Sequence, residues 1–217
     1  SLSRLLTLLI FSALLISPQV ANASHYSSGE IFYRWAPTTN DSLRYEVCVY
    51  FYRNNDFALI PNQPINICVS SSCYPDVTAL LTKDLPPPGQ ASPGDPNGGW
   101  LVPGLDECAD ASDPEYKDLS AHIWCGYVTI PGSCGDFEIS AAAPCCRDVS
   151  DNLLNSNSRN MMITATLNNT LGENSSPQIQ APAGKAFCLS QPGAKPFEFI
   201  QAAIDPDGDS IVYRFGH

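Results

Sequence analysis

Nine cysteines, Cys48, Cys68, Cys73, Cys108, Cys125, Cys134, Cys145, Cys146 and Cys188, constrain the fold of this 217-residue chain more than any other feature. Whether they act as thiols or as bridges depends on the compartment, and the N-terminus bears on that. Arg4 precedes an apolar run from Leu5 to Ile16, and Ala21-Asn22-Ala23 follows, the layout of a signal peptide cleaved after Ala23. As a helix the run spans roughly 18 Å, well short of a hydrocarbon core of roughly 30 Å. Export is therefore expected rather than anchoring, and no other stretch is apolar enough to cross a bilayer. In an exported chain all nine cysteines are disulfide candidates, while spacing leaves their pairing open. A zinc module is disfavoured, because Cys68-x4-Cys73 lacks the tight paired spacing and only His25, His122 and His217 could assist. The odd count leaves one thiol over, and Cys188 is expected to pair with a residue beyond His217.

The cysteine framework centres on Ile123 to Arg147. There two runs of strand character, Tyr127-Val128-Thr129-Ile130 and Phe137-Glu138-Ile139-Ser140, flank a Pro131-Gly132 turn. Vicinal Cys145 and Cys146 cannot bond to each other without a strained peptide, so each is expected to reach a different strand and tie two sheets to one point. Upstream, Gly29 to Trp35 and Tyr45 to Arg53 alternate aromatic and β-branched residues with polar ones and read as a hairpin. Ile65 to Val69 and Met161 to Leu167 give further short strands. Leu85 to Pro103 is rich in proline and glycine and reads as a long loop. No window sustains a capped helical stripe. The expected fold is all-β: a disulfide-braced β-sandwich followed by the start of an immunoglobulin-like or cadherin-like sandwich repeat. The boundaries follow: residues 1–23 signal peptide, 24–173 cysteine-rich domain, 174–217 the opening of the repeat, with Asn174 to Pro177 as linker. The chain opens on Ser1 and ends at His217 inside a strand-like run, so a longer parent protein is expected.

A net charge of −11 repels phosphate backbones and argues against a nucleic-acid partner. Asp106 to Asp118 places six carboxylates in thirteen residues, which could chelate a cation but more often form a solvated loop. The sharper constellation is Asp205-Pro206-Asp207-Gly208-Asp209. Carboxylates at alternate positions around a glycine bend offer the hard oxygen ligands calcium demands, which makes Asp205, Asp207 and Asp209 candidate calcium ligands. The alternative is a polar turn between strands. The turn departs from an EF-hand loop, lacking a glutamate at position twelve and carrying Pro206.

Nothing predicts covalent catalysis: the chain has no G-x-S-x-G elbow, and His122 beside Ile123 and Trp124 reads as a packed or surface histidine. Glu30, Glu46 and Glu138 could form a glycosidase carboxylate pair, though sequence alone places no two of them at a working separation. Asn40-Asp-Ser42, Asn168-Asn-Thr170 and Asn174-Ser-Ser176 match the N-glycosylation pattern, which matters only in a eukaryotic host. Trp100 and the tyrosines of the second strand are candidates for stacking on sugars, with core packing the better account of the tyrosines.

Several of these segments recur together in a known family. Ser24-His25-x3-Gly29-Glu30-Ile31-x-Tyr33, Tyr45-Glu46-Val47 through Tyr52-Arg53, Gly126-Tyr-Val-Thr-Ile-Pro-Gly132, Cys145-Cys146-Arg147, Leu167-Asn168-Asn169, and Asn174-Ser-Ser-Pro177 through Asp205-Pro-Asp-Gly-Asp-Ser-Ile-x-Tyr213 stand in order along nearly the whole mature chain. Together they resemble the N-terminal region of large secreted Bacteroidetes proteins with PKD domains or gliding-motility-associated C-terminal domains. The resemblance implies a secreted or cell-surface protein of adhesin type, with further repeats and a sorting domain beyond His217. It also implies O-glycosylation at Asp41-Ser42-Leu43 and Asp209-Ser210-Ile211. The expected role is non-catalytic adhesion to extracellular matrix, a glycan or another cell-surface ligand, with calcium stiffening the repeat. The rivals are an accessory region of a secreted polysaccharide hydrolase and a carbohydrate-binding module.

Overall fold

The computed structural model describes residues 26–54, 62–87, 89–91, 98–101, 119–146, 154, 160–179 and 202–213. The signal-peptide stretch, the acidic run 106–118, Cys108, Cys188 and the side chains of Cys145 and Cys146 lie outside what is described.

The described chain is all-β, without a helix. The principal strands are β1 Tyr26–Trp35, β2 Arg44–Asn54, β3 Ile65–Ser70, β4 Val77–Asp84, β5 Trp100–Leu101, β6 Leu119–Thr129, β7 Phe137–Cys146 and β8 Asn160–Leu167. Two short ones follow, β9 Gln178–Ile179 and β10 Ala203–Ile204. Seven strands form one antiparallel path in the order β1-β2-β6-β4-β3-β7-β8, with β5 added on β6. β9 and β10 pair with each other.

The path folds over at β4. Val77 to Leu81 pair with β3, whereas Thr82 to Asp84 pair with β6, so one strand serves two sheets and acts as the corner between them. The two ends of the path then meet: the Tyr33 hydroxyl on β1 donates to the Thr166 carbonyl on β8 at 2.7 Å. The result is a sandwich closed toward a barrel.

Alternation explains which side chains fill it. On β2, Tyr45, Val47, Val49 and Phe51 point inward and are buried, and Ile67, Val69, Leu81, Trp124, Phe137, Ile139 and Leu167 meet them from the other strands. Full burial of such a side chain is worth roughly 1.5–3 kcal/mol, so this core carries the fold. Two bridges brace it. Cys48–Cys125 joins directly opposed residues of β2 and β6. Cys73–Cys134 joins the β3–β4 connection to the β6–β7 connection. Disulfides of this kind belong to an oxidising environment. Cys68 is the free thiol among the described cysteine side chains. No helix among the described residues is long and apolar enough to cross a membrane.

Two sequence expectations change in detail. Pro131-Gly132 does join the two central strands, yet β6 and β7 do not pair: β6 lies between β2 and β4, β7 between β3 and β8, and the turn carries the chain from one sheet to the other. The Asn174 to Pro177 segment is docked rather than loose. Ser176 N donates to Tyr33 O at 2.8 Å, and the Ser176 and Ser175 hydroxyls accept from the Tyr33 and Trp35 amides at 2.9 and 3.3 Å. The outer edge of β1 is thereby satisfied instead of being left open for pairing with another chain.

Candidate functional site

The β1–β2 hairpin buries one face and presents the other. The register sets Ser28 opposite Tyr52, Glu30 opposite Tyr50, Phe32 opposite Cys48 and Arg34 opposite Glu46, and these alternate residues share the outer face. That face is the floor of a cleft of about 460 Å³. Its far wall is the docked segment Ser176, Gln178 and Ile179 with Pro206 from the Asp-rich turn. The Cys48–Cys125 bridge fixes the floor to β6.

The floor is unusual for an outward face because it is aromatic. Phe32 and Tyr50 meet edge to face with ring centroids 5.2 Å apart. Tyr52 is 5% exposed, and its hydroxyl donates to Glu30 Oε1. Glu30 Oε2 is buried and takes no hydrogen bond among the described residues. Burial raises the Glu30 carboxyl above its usual value of 4.5, and the Tyr52 hydrogen bond opposes that only in part. Burial, then the bond to Glu30, pushes the Tyr52 phenol far above its own ordinary range. Tyr50 is raised by burial and by the nearby Glu30, Asp84 and Glu46 carboxylates. Below the floor, Tyr33 is pushed up to about 12, mainly by burial. At the rim, Arg34 Nη2 and Nε donate to one oxygen of Glu46 at 2.5 and 3.2 Å.

The residues singled out from sequence fall in different places. Glu30 and Glu46 share the cleft, whereas Glu138 stands exposed on β7 in the other sheet. Glu30 and Glu46 stand four residues apart in register on the outer face, a backbone offset of about 13 Å along the strands, and Glu46 is held by Arg34 at the rim. His122 is fully buried, with Nε2 3.2 Å from Ser120 Oγ and its ring tilted against Trp124. Trp100 is half-buried on β5, donating its indole N–H to Asp84 O at 3.4 Å, away from the cleft. The tyrosines of β2 divide: Tyr45 packs in the core, while Tyr50 and Tyr52 line the cleft.

The Asp-rich turn works as a clasp. Asp205 Oδ1 accepts from the amides of Asp207 and Asp209 at 2.9 and 3.1 Å, and Gly208 takes a positive φ of 84° to close the bend. Asp207 accepts from the Ser175 amide at 2.5 Å and from its hydroxyl at 3.3 Å, holding the docked segment against β1. The Asp205, Asp207 and Asp209 carboxylates do not gather at one point; among the described residues only Cys73, Cys134 and Asp136 come that close. Those two sulfurs are spent on their bridge and offer no thiolate to a metal.

Sequence reasoning overlooked the cleft. The available signal was Tyr50 and Tyr52 on the outer face of β2, where alternation would otherwise place polar residues. Comparison of the chain with protein-family models, with curated proteins and with solved structures finds no match.

Proposed function

We propose that this chain is the exported, non-catalytic head region of a larger adhesin-like bacterial surface protein, and that it binds its ligand in the cleft on the outer face of β1–β2. The observation that carries this is the cleft's make-up. Phe32, Tyr50 and Tyr52 stand among a few fixed polar groups, the composition of a recognition site. The apolar Leu5 to Ile16 run, the two bridges and the −11 charge suit a protein that works outside the cell. The resemblance to Bacteroidetes surface proteins supplies the adhesin role and the repeats expected downstream.

Binding of the oxidised chain to arrays of glycans and of matrix proteins tests the proposal. Binding that disappears in Tyr50→Ala, with the fold intact, is the expected result. Turnover of a polysaccharide by the purified chain would instead support the hydrolase reading. Calcium enters as a stiffener: the Asp205 and Asp207 carboxylates would have to leave their present hydrogen bonds, and Asp209 to turn toward them, to share one ion. A folded-state site held at 100 times its dissociation constant adds about 2.7 kcal/mol of stability. Melting curves in calcium and in chelator should then differ for the parent chain and coincide for Asp205→Ala/Asp207→Ala.

A further inference from the structure

The charge balance of the cleft narrows the class of ligand, on the reading that this module binds rather than reacts. Three charged side chains line it, and Arg34 is already committed to Glu46. Glu30 is left as the uncompensated charge: its hydrogen bond comes from a neutral phenol, no ion pair reaches it among the described residues, and Oε2 is buried without a partner. Keeping a carboxylate out of water with no cation beside it is costly. A ligand cation would remove that cost. Ring faces of Phe32 and Tyr50 next to a carboxylate attract an ammonium group specifically. A metal ion fits poorly, since calcium takes six to eight hard oxygens and the cleft brings no such set together.

Size and rim chemistry go further. The cleft lies in the range of small-molecule sites and is larger than a lone amine requires. Around the rim, the Arg34–Glu46 pair and Gln178 offer planar polar groups suited to sugar hydroxyls. We propose that the cleft binds an amino sugar, its protonated amine seated against Glu30 and its apolar face on Phe32 and Tyr50. Turning the carboxylate toward the ligand moves Oε1 as well, so the ligand amine must replace the Tyr52 hydroxyl or the hydroxyl must follow it. The overall charge of −11 favours the approach of a cation.

Calorimetric titration of the oxidised full chain tests this at about pH 6, where such amines are protonated. The probes are a glucosamine oligosaccharide, its N-acetylated neutral counterpart and a lysine-containing peptide. The cationic sugar is expected to bind about tenfold or more tighter than the acetylated one, the scale of one charge-assisted hydrogen bond. Glu30→Gln should erase that difference while the melting transition stays cooperative. On the parent protein, which needs no variant, the preference should shrink as pH falls and Glu30 takes up its proton. Equal binding of the two sugars overturns the inference and leaves the binding module standing. Tighter binding of the peptide overturns the ligand class. If none of the three probes binds, the amino-sugar assignment fails, and binding to the glycan and matrix-protein arrays decides the binding module separately.

Discussion

Glu30 and Tyr52 form a pair whose members push stability in opposite directions. A carboxyl raised by folding holds its proton more tightly in the native state than in the unfolded chain. Its contribution to stability is therefore complete below the unfolded value of 4.5 and is lost as pH rises through the folded value. Once ionised, the carboxylate is a net burden on the fold. Glu30→Gln keeps the shape and the acceptor for Tyr52, so it should melt higher than the parent at about pH 7, with the gap closing toward pH 4. Melting curves across that range check the sign, and a variant that melts lower at neutral pH would refute it. Tyr52→Phe does the reverse. It strips Glu30 Oε1 of its donor while the carboxylate stays charged, and should cost about 1–2 kcal/mol at neutral pH. Glu30 anchors the proposed ligand because its buried Oε2 lies in the cleft without a partner among the described residues.

Among the elements, the corner strand β4 controls the shape, and Gly126 on β6 makes the corner possible. A Cβ at Gly126 would lie 2.9 Å from Leu80 O and 2.8 Å from Leu81 Cδ2, at the point where β4 leaves β3 for β6. Backbone cannot yield there cheaply, so Gly126→Ala is expected to destabilise by about 1–3 kcal/mol, read from denaturant midpoints. The same corner shows what sequence could and could not reveal. β1, β2, β3, β7 and β8 were legible because each keeps a two-residue alternation of core and surface. β4 was not, because Leu80 and Leu81 are equally apolar neighbours that point to opposite faces, one 57% exposed and the other fully buried. The first half of β6 was hidden for the converse reason: Ser120 and His122 are polar yet point inward, which scrambles the pattern. The cleft went unread because its wall comes from residues 176–179 and Pro206, far in sequence from Glu30 and Tyr50. The cysteines announced bridges, yet pairing required knowing that β2 and β6 are neighbours.

For the whole molecule the question is what each bridge adds to a fold that is already closed by hydrogen bonds. In the chain-entropy account the loops of 77 and 61 residues make the two bridges nearly equal, about 4 kcal/mol each. Their surroundings are not equal. Cys48–Cys125 lies inside the β2–β6 ladder, which runs from Arg44 opposite Thr129 to Asn54 opposite Leu119, so its strands stay in register without it. Cys73–Cys134 ties two connections, whose other holds include Ser72 N donating to Asp136 Oδ1 at 3.2 Å, the Tyr74–Phe137 stack and the Asn169 side chain bonded to Cys134 N and Gly132 O. The double variants Cys48→Ser/Cys125→Ser and Cys73→Ser/Cys134→Ser should therefore lose similar global stability and differ locally. In the second, amide exchange should quicken around residues 72–76 and 131–136, while in the first β2 should stay protected up to the global transition. Equal exchange patterns in the two variants would mean that the bridges act only on the unfolded chain. Early opening of β2 in the first would mean that the cleft floor depends on its sulfur bridge more than on the ladder.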